Sequence, residues 1–298
     1  MKKIILLFSI TLISVSFCNA QEWFTSFDVA KRLAIVQNKM LFVMWEESLD
    51  YSYPILYSTE SGELKIIDLF EDNSMDAIIW EHFIPVLLPE SKYSEFVKGS
   101  KSKRDAKYMA KINDDSIKIM DVNGNILNAA PLYENEQNLS MLIKNYALNT
   151  SFLKQELINY SRKGNFTTSF NLALKYVDYA IFVQKGIRFE IIALANIYFD
   201  ESRRHLTAGD LKNKDEILQR LDLFGIKEIL ILDKPRKALR QLKRIDEAEI
   251  KDINKSIYVF LNYTTFKLLK EEEKAALWKS RISEVDLKKA GFIIKNKT

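Results

Sequence analysis

The apolar run MLFVMW, residues 40 to 45, is followed at once by side chains suited to chemistry: Glu46, Glu47, Asp50, Tyr51, Ser52 and Tyr53. Two carboxylates in different surroundings can divide acid and base duties, because burial keeps one protonated while the other stays ionised. Glu46, Glu47 and Asp50 therefore make one candidate set, for a cysteine-independent acid/base enzyme. The aromatic residues suggest another use, since tyrosines are enriched where one protein grips another. On that reading Asp50, Tyr51, Ser52 and Tyr53 form a turn that binds an unidentified protein partner.

Other chemistries lack their residues. Cys18 is the only cysteine, and it lies within MKKIILLFSITLISVSFCNAQ, where two lysines precede an apolar stretch from Ile4 to Phe17 and small or polar residues ending at Ala20. This pattern reads as a secretory signal, residues 1–20, cleaved before Gln21; the apolar stretch is too short to favour a spanning helix. The mature chain is then exported, periplasmic or secreted, and holds no thiolate, which disulfide exchange requires. The alternative keeps Cys18 as a lipid anchor, although bulky Phe17 stands where lipoprotein signals carry a small residue. His82 and His205 are the only histidines and fall in different halves of the chain, so no metal site is expected. No P-loop, Gly-rich dinucleotide turn or Gly-x-Ser-x-Gly occurs, and no cofactor is expected.

These residues must be positioned by elements that the pattern of the chain makes legible. Ser26 opens SFDVAKRLAIVQN, in which Phe27, Ala30, Leu33, Ala34 and Val36 give a helical stripe, with Ser26 as the capping residue. MLFVMW, apolar throughout, fits a strand buried on both faces at the centre of a mixed sheet. A helical patch at 75 to 81 leads to a second apolar strand around HFIPVLLP, with His82 ending the helix. IKIMD and NILNAA flank Val122-Asn123-Gly124, and Asn-Gly is a strong hairpin signal. A helix in NEQNLSMLIKNYAL closes the unit. Residues 57 to 74 read as a turn, a short helix or strand and an acidic loop, and KGSKSKRDAK at 98 to 107 reads as a solvated loop.

Taken in order, EWFTSFDVAKRLAIVQNKMLFVMW, FIPVLL and IKIMDVNGNIL resemble the thioredoxin-like superfamily, in particular exported bacterial members, over residues 22 to 148. The resemblance implies an α/β fold and sets Asp50, Tyr51, Ser52 and Tyr53 on the family's Cys-x-x-Cys. It sets Asp115 on the family's cis-proline, with Ser116 where threonine usually follows. Neither cysteine is present, and a non-proline cis bond costs about 2.5–4 kcal/mol, so redox activity and inherited peptide binding are both put in doubt. Asp115 joins the candidate partner-binding residues.

The chain of 298 residues carries a net charge of +4. That mild figure conceals 13 Lys and Arg against 20 Asp and Glu over residues 21–150, and 29 against 20 over residues 151–298. Such a split supports a domain boundary near 150. The expected organisation is a signal at 1–20, an α/β thioredoxin-like domain at 21–149 and an all-α helical domain at 150–298. In the latter, GNFTTSFNLALKYVDYA at 164 to 180 resembles one helix of a tetratricopeptide repeat, but no period of about 34 residues recurs. KPRKALRQLKR at 234–244 is basic with an apolar side. It reads as a solvated helix face, or alternatively as peripheral contact with anionic lipid or an acidic partner. Nucleic acid is not expected of an exported chain. The function this predicts is an exported, non-catalytic interaction or scaffold module, with the acid/base enzyme and an envelope-associated protein held by basic helices as alternatives.

Overall fold

The computed structural model describes residues 22–59, 61–101, 103–129, 137–208 and 213–295. The expected secretory signal and Cys18 lie outside the described residues. The chain divides into two compact units, one of residues 1–124 and 130–148, the other of residues 125–129 and 149–298. A small sheet region near the N-terminus precedes a mostly helical remainder.

In the first unit, helix α1 (Phe27–Gln37) buries Phe27, Ala30 and Ala34. Val36, placed in the sequence stripe, is 66% exposed. Ser26 occupies the N-cap position, but its side chain makes no capping bond; its carbonyl accepts from the Ala30 N–H. The helix ends on Asn38 in the left-handed conformation, a role in which asparagine is well tolerated.

Strand β1 (Met40–Trp45) is buried at every position, as its uninterrupted apolar character requires. The next two strands, β2 (Pro54–Ser58) and β3 (Leu64–Asp68), form a hairpin of their own. The short helix or strand expected within 57–74 is β3, whereas β2 and its pairing into a hairpin are not anticipated in the sequence reading. Helix α2 (Asn73–His82) is capped by the Asp72 carboxylate and hands over directly to β4 (Phe83–Leu88). Helices α3 (Glu90–Ser100) and α4 (Ala106–Asn113) follow, so the expected loop at 98–107 is largely helix end, turn and helix start, with Asp105 capping α4. Strand β5 (Lys118–Met120) and helix α5 (Leu139–Tyr146) complete the described elements.

β1 pairs in parallel with β4, Met40 opposite Phe83, and antiparallel with β5, Leu41 opposite Met120. Beyond β4 the backbone of Phe24 forms a single parallel bridge: its N–H donates to the Pro85 carbonyl and its carbonyl accepts from Leu87. Proline is tolerated inside β4 because its missing N–H costs nothing on the β1 side, and on the other side only this bridge needs bonding.

After β5 the turn anticipated from Asn-Gly is present: Gly124 has φ +87° and donates to the Asp121 carbonyl at 3.0 Å. The expected return strand is not. Residue 126 makes one isolated bridge, and residues 125–129 cluster with the second unit. A Cβ at Gly124 would lie 3.0 Å from the Phe27 ring. The strain of positive φ adds to that contact, so Gly124→Ala is expected to lower stability by about 1–3 kcal/mol in urea unfolding; a loss below about 0.5 kcal/mol would show that the turn relaxes.

The second unit contains helices α6 (Lys154–Arg162), α7 (Phe166–Tyr179), α8 (Arg188–Ala208), α9 (Lys214–Ile231), α10 (Pro235–Leu242), α11 (Lys255–Leu268), α12 (Glu272–Lys279) and α13 (Glu284–Lys295). A reciprocal capping box between Asn165 and Thr168 starts α7. The rings of Tyr176 and Tyr198, both fully buried, stack 5.6 Å apart between α7 and α8. At the wall of a cavity of about 320 Å³, Asp178 of α7 accepts from Lys227 of α9 and, at 2.6 Å, from Lys289 of α13. Burial opposes ionisation of Asp178, but the two ammonium groups outweigh it and hold the carboxyl below its ordinary 3.8. Glu228 of α9 makes no ion pair among the described residues, although Arg203 favours its charge. It accepts one bond, from Asn196 Nδ2 of α8 at 3.2 Å, and burial pushes its carboxyl up from 4.5 to about 7.

Candidate functional site: a cleft at the end of the central strand

Three segments converge where β1 ends. The first is a 3₁₀ turn, Glu46–Asp50, running on to Tyr53; the second is the β2–β3 hairpin; the third is the turn Asp114–Ile117 that precedes β5. Between them lies a cleft of about 670 Å³ lined by Ser48, Tyr51 to Leu56, Ile66, Asp114 to Ser116 and Gln137. The hairpin is tied in by the Leu56 N–H, which donates to the Gln137 carbonyl at 2.7 Å, and the Ser58 N–H, which donates to Ser140 Oγ at 2.8 Å.

The turn before β5 is built around buried charge. Lys118 is fully buried, and its ammonium donates to the Asp114 carbonyl (2.6 Å), to Asp114 Oδ1 (3.1 Å) and to the Ser116 carbonyl (2.8 Å). Three acceptors meet the three N–H groups of the ammonium. Its Nζ also stands 4.7 Å from the centre of the Trp45 ring, and the Trp45 indole N–H donates to the Asp114 carbonyl at 2.9 Å. Burial pushes the Lys118 amine down to about 8, against the attraction of Asp114. Lys111, 1% exposed, donates to Ser116 Oγ, which in turn donates to Asp114 Oδ1 at 2.6 Å. The network consumes Asp114. Asp115, exposed beside it, has no ion pair among the described residues.

The opposite wall is fixed by Asp68. Its carboxylate accepts from Ser52 Oγ (2.5 Å), from the Tyr53 N–H (2.9 Å) and from the N–H groups of Phe70 and Glu71. The Ser52 bond, followed by those backbone bonds, holds the carboxyl below its ordinary value.

The candidate residues thus have unlike surroundings. Tyr51, Ser52, Tyr53 and Asp115 meet around one cleft, although 62 positions separate Tyr53 from Asp115. Tyr51 is 77% exposed, whereas Tyr53 is 9% exposed with its ring 6.3 Å from that of Phe70. Asp50 is exposed outside the lining, as are Glu46 and Glu47. The lining residues that sequence reasoning did not select include Ser48, Leu56, Ile66, Asp114 and Gln137, with Lys111 and Lys118 behind them. The signal for the hairpin is two short β-prone runs, PILYS and LKIID, on either side of a turn that contains Gly62.

Elsewhere, His82 ends α2 and His205 lies in the last turn of α8, 3.7 Å from Glu201. Among the described residues no cluster of His, Cys, Asp and Glu has the makings of a metal site. None of their helices is long and apolar enough to cross a membrane. In the basic segment, α10 buries Pro235, Ala238 and Leu242 and leaves Arg236, Lys237 and Arg240 exposed. Comparison with protein-family models, curated proteins and solved structures finds no match to this chain.

Proposed function

We propose that this chain is an exported, non-catalytic interaction protein whose first unit is a thioredoxin-like module without redox chemistry, and whose cleft receives a protein partner. One observation carries the reading. Residues 51–53 and Asp115–Ser116, which lie where the resemblance sets three of the four Cys-x-x-Cys positions and the cis-proline with its following residue, come together at the end of a central strand in a mixed sheet. Among the described residues that line the cleft there is no cysteine or histidine. Tyr51 offers an exposed aromatic anchor there, of the kind that dominates protein interfaces.

A photoreactive phenylalanine analogue at position 51 of the full chain is expected to yield a discrete cross-linked adduct in the exporting cell, while the same analogue at exposed position 36 yields none. Tyr51→Ala is expected to weaken binding of the partner so identified by at least about tenfold with an unchanged melting temperature. Identical adducts from both positions, or full affinity in Tyr51→Ala, would remove the cleft from the account.

A further inference from the structure

The hairpin beside the cleft has one covered edge and one open edge. Its ladder bonds join Thr59 to Glu63 and Tyr53 to Leu69, so the bonded positions of β3 facing β2 are odd-numbered. By the alternation of an antiparallel ladder, the N–H and C=O groups of Leu64 and Ile66 point away from β2. The outer edge of β2 is taken by Gln137 and Asn138. The outer edge of β3 is not: among the described residues neither Leu64 nor Ile66 has a backbone partner there. Both side chains are open as well, Leu64 at 62% and Ile66 at 77%. Ile66 stands opposite Leu56, and both line the cleft.

Two further observations say what would fill this place. The charged side chains lining the cleft are Asp114 and Asp115, with no lysine or arginine among the described lining residues, and Lys118 and Lys111 already satisfy Asp114. Asp115 makes no ion pair among the described residues, and Lys118, which attracts it, gives its hydrogen bonds to Asp114 and Ser116. Ser48, 8% exposed and part of the same lining, has a buried hydroxyl with no hydrogen-bond partner among the described residues, and a buried polar group in that state calls for one.

We propose that the partner enters as an extended, basic segment that adds to β3 as a new edge strand. Its main chain bonds the open groups of Leu64 and Ile66, apolar side chains on its cleft-facing side lie against Ile66, Leu56 and Tyr51, and a lysine or arginine between them meets Asp115. Strand addition obtains affinity from the main chain and specificity from alternate side chains. The inference rests on the cleft reading above and adds the chemistry of the occupant.

The probe is a fluorescent peptide repeating Lys-Thr-Val-Thr, which sets lysine and valine alternately on one face, titrated against the full mature chain by anisotropy. It is expected to bind, and the Glu-Thr-Val-Thr counterpart at least about tenfold more weakly. Ile66→Pro removes the open N–H where proline is tolerated in a strand, and is expected to reduce binding at least about tenfold without loss of the fold. Asp115→Asn is expected to reduce it several-fold and flatten its salt dependence. A peptide methylated on alternate main-chain nitrogens tests the same bonds without altering the protein. Equal binding of the glutamate peptide, or of both the methylated peptide and Ile66→Pro, overturns the proposal. So does self-association of the free protein that Ile66→Pro abolishes, which would make a second copy the occupant. Cross-linking from position 51 that persists while Ile66→Pro has no effect removes strand addition and leaves the cleft reading; failure of that cross-link removes the reading on which both stand.

Discussion

Asp178→Ala is expected to cost about 3–5 kcal/mol of stability, because it leaves the ammonium of Lys227 buried without its counter-charge. Lys227 has a side chain 6% exposed and stands near the rings of Phe224 and Phe260, but it lines a cavity of about 320 Å³ with Asp178 and is also attracted by Asp286, so the loss falls at the lower end of that range. Lys289, 27% exposed, can turn outward and loses less. Domains are held by roughly 5–15 kcal/mol in all, so this substitution should move the urea midpoint of the full chain far down. The double replacement Asp178→Leu with Lys227→Met removes both charges and is expected to recover most of the loss. If it is no better than Asp178→Ala, shape rather than charge governs the site. The pH response follows from the sign of the shift: a carboxyl held below 3.8 stabilises the fold above that value and loses its contribution as pH falls through the folded-state value.

Glu228→Gln is expected to act in the opposite direction. The folded protein holds a proton on Glu228 up to about 7, whereas the unfolded chain releases it near 4.5. Between those values the folded state binds more protons, so stability falls as pH rises, and the full penalty applies above 7. At about 1.36 kcal/mol per unit the span corresponds to about 3 kcal/mol. Asn196, Asp200 and Arg203 of α8 are the polar groups that act on Glu228: Asn196 donates to it, Arg203 favours its charge and Asp200 opposes it. Glutamine keeps the bond from Asn196 and carries no charge. The variant should therefore match the parent near pH 4.5, exceed it by about 2–3 kcal/mol at pH 8, and show a flatter stability profile between. Parallel profiles for the two proteins would mean that water reaches Glu228 and relieves its burial.

Much of this architecture can be read in the residues, and the part that cannot has a common cause. MLFVMW and FIPVLL announce buried strands because both faces must be apolar. The helix at 27–37 and the turn at Gly124 follow from periodicity and from the freedom of glycine at positive φ. The β2–β3 hairpin escapes because its strands are short and half exposed, so Leu64 and Ile66 carry apolar side chains to water where a pattern reader expects polar ones. Residues 125–129 escape because a hairpin signal specifies the turn but not what the following segment will pack against. At the cleft, the resemblance brings Tyr51, Ser52, Tyr53 and Asp115 forward together. Lys118 remains hidden, since a lysine in IKIMD reads as a surface residue until three oxygens are found around its nitrogen. Asp178, Lys227 and Lys289 come from three helices far apart in the chain, and only tertiary packing makes them neighbours.

Pro85 separates the fates of the two sheets. Beyond β4, Pro85 has no N–H to give on the side where Phe24 bridges, and among the described residues the pairing there is limited to that one bridge. β3 carries no such terminator. Of these two edges, the one that ends at an imino acid has fewer hydrogens to share, and the edge of β3 is the better suited to receive a strand.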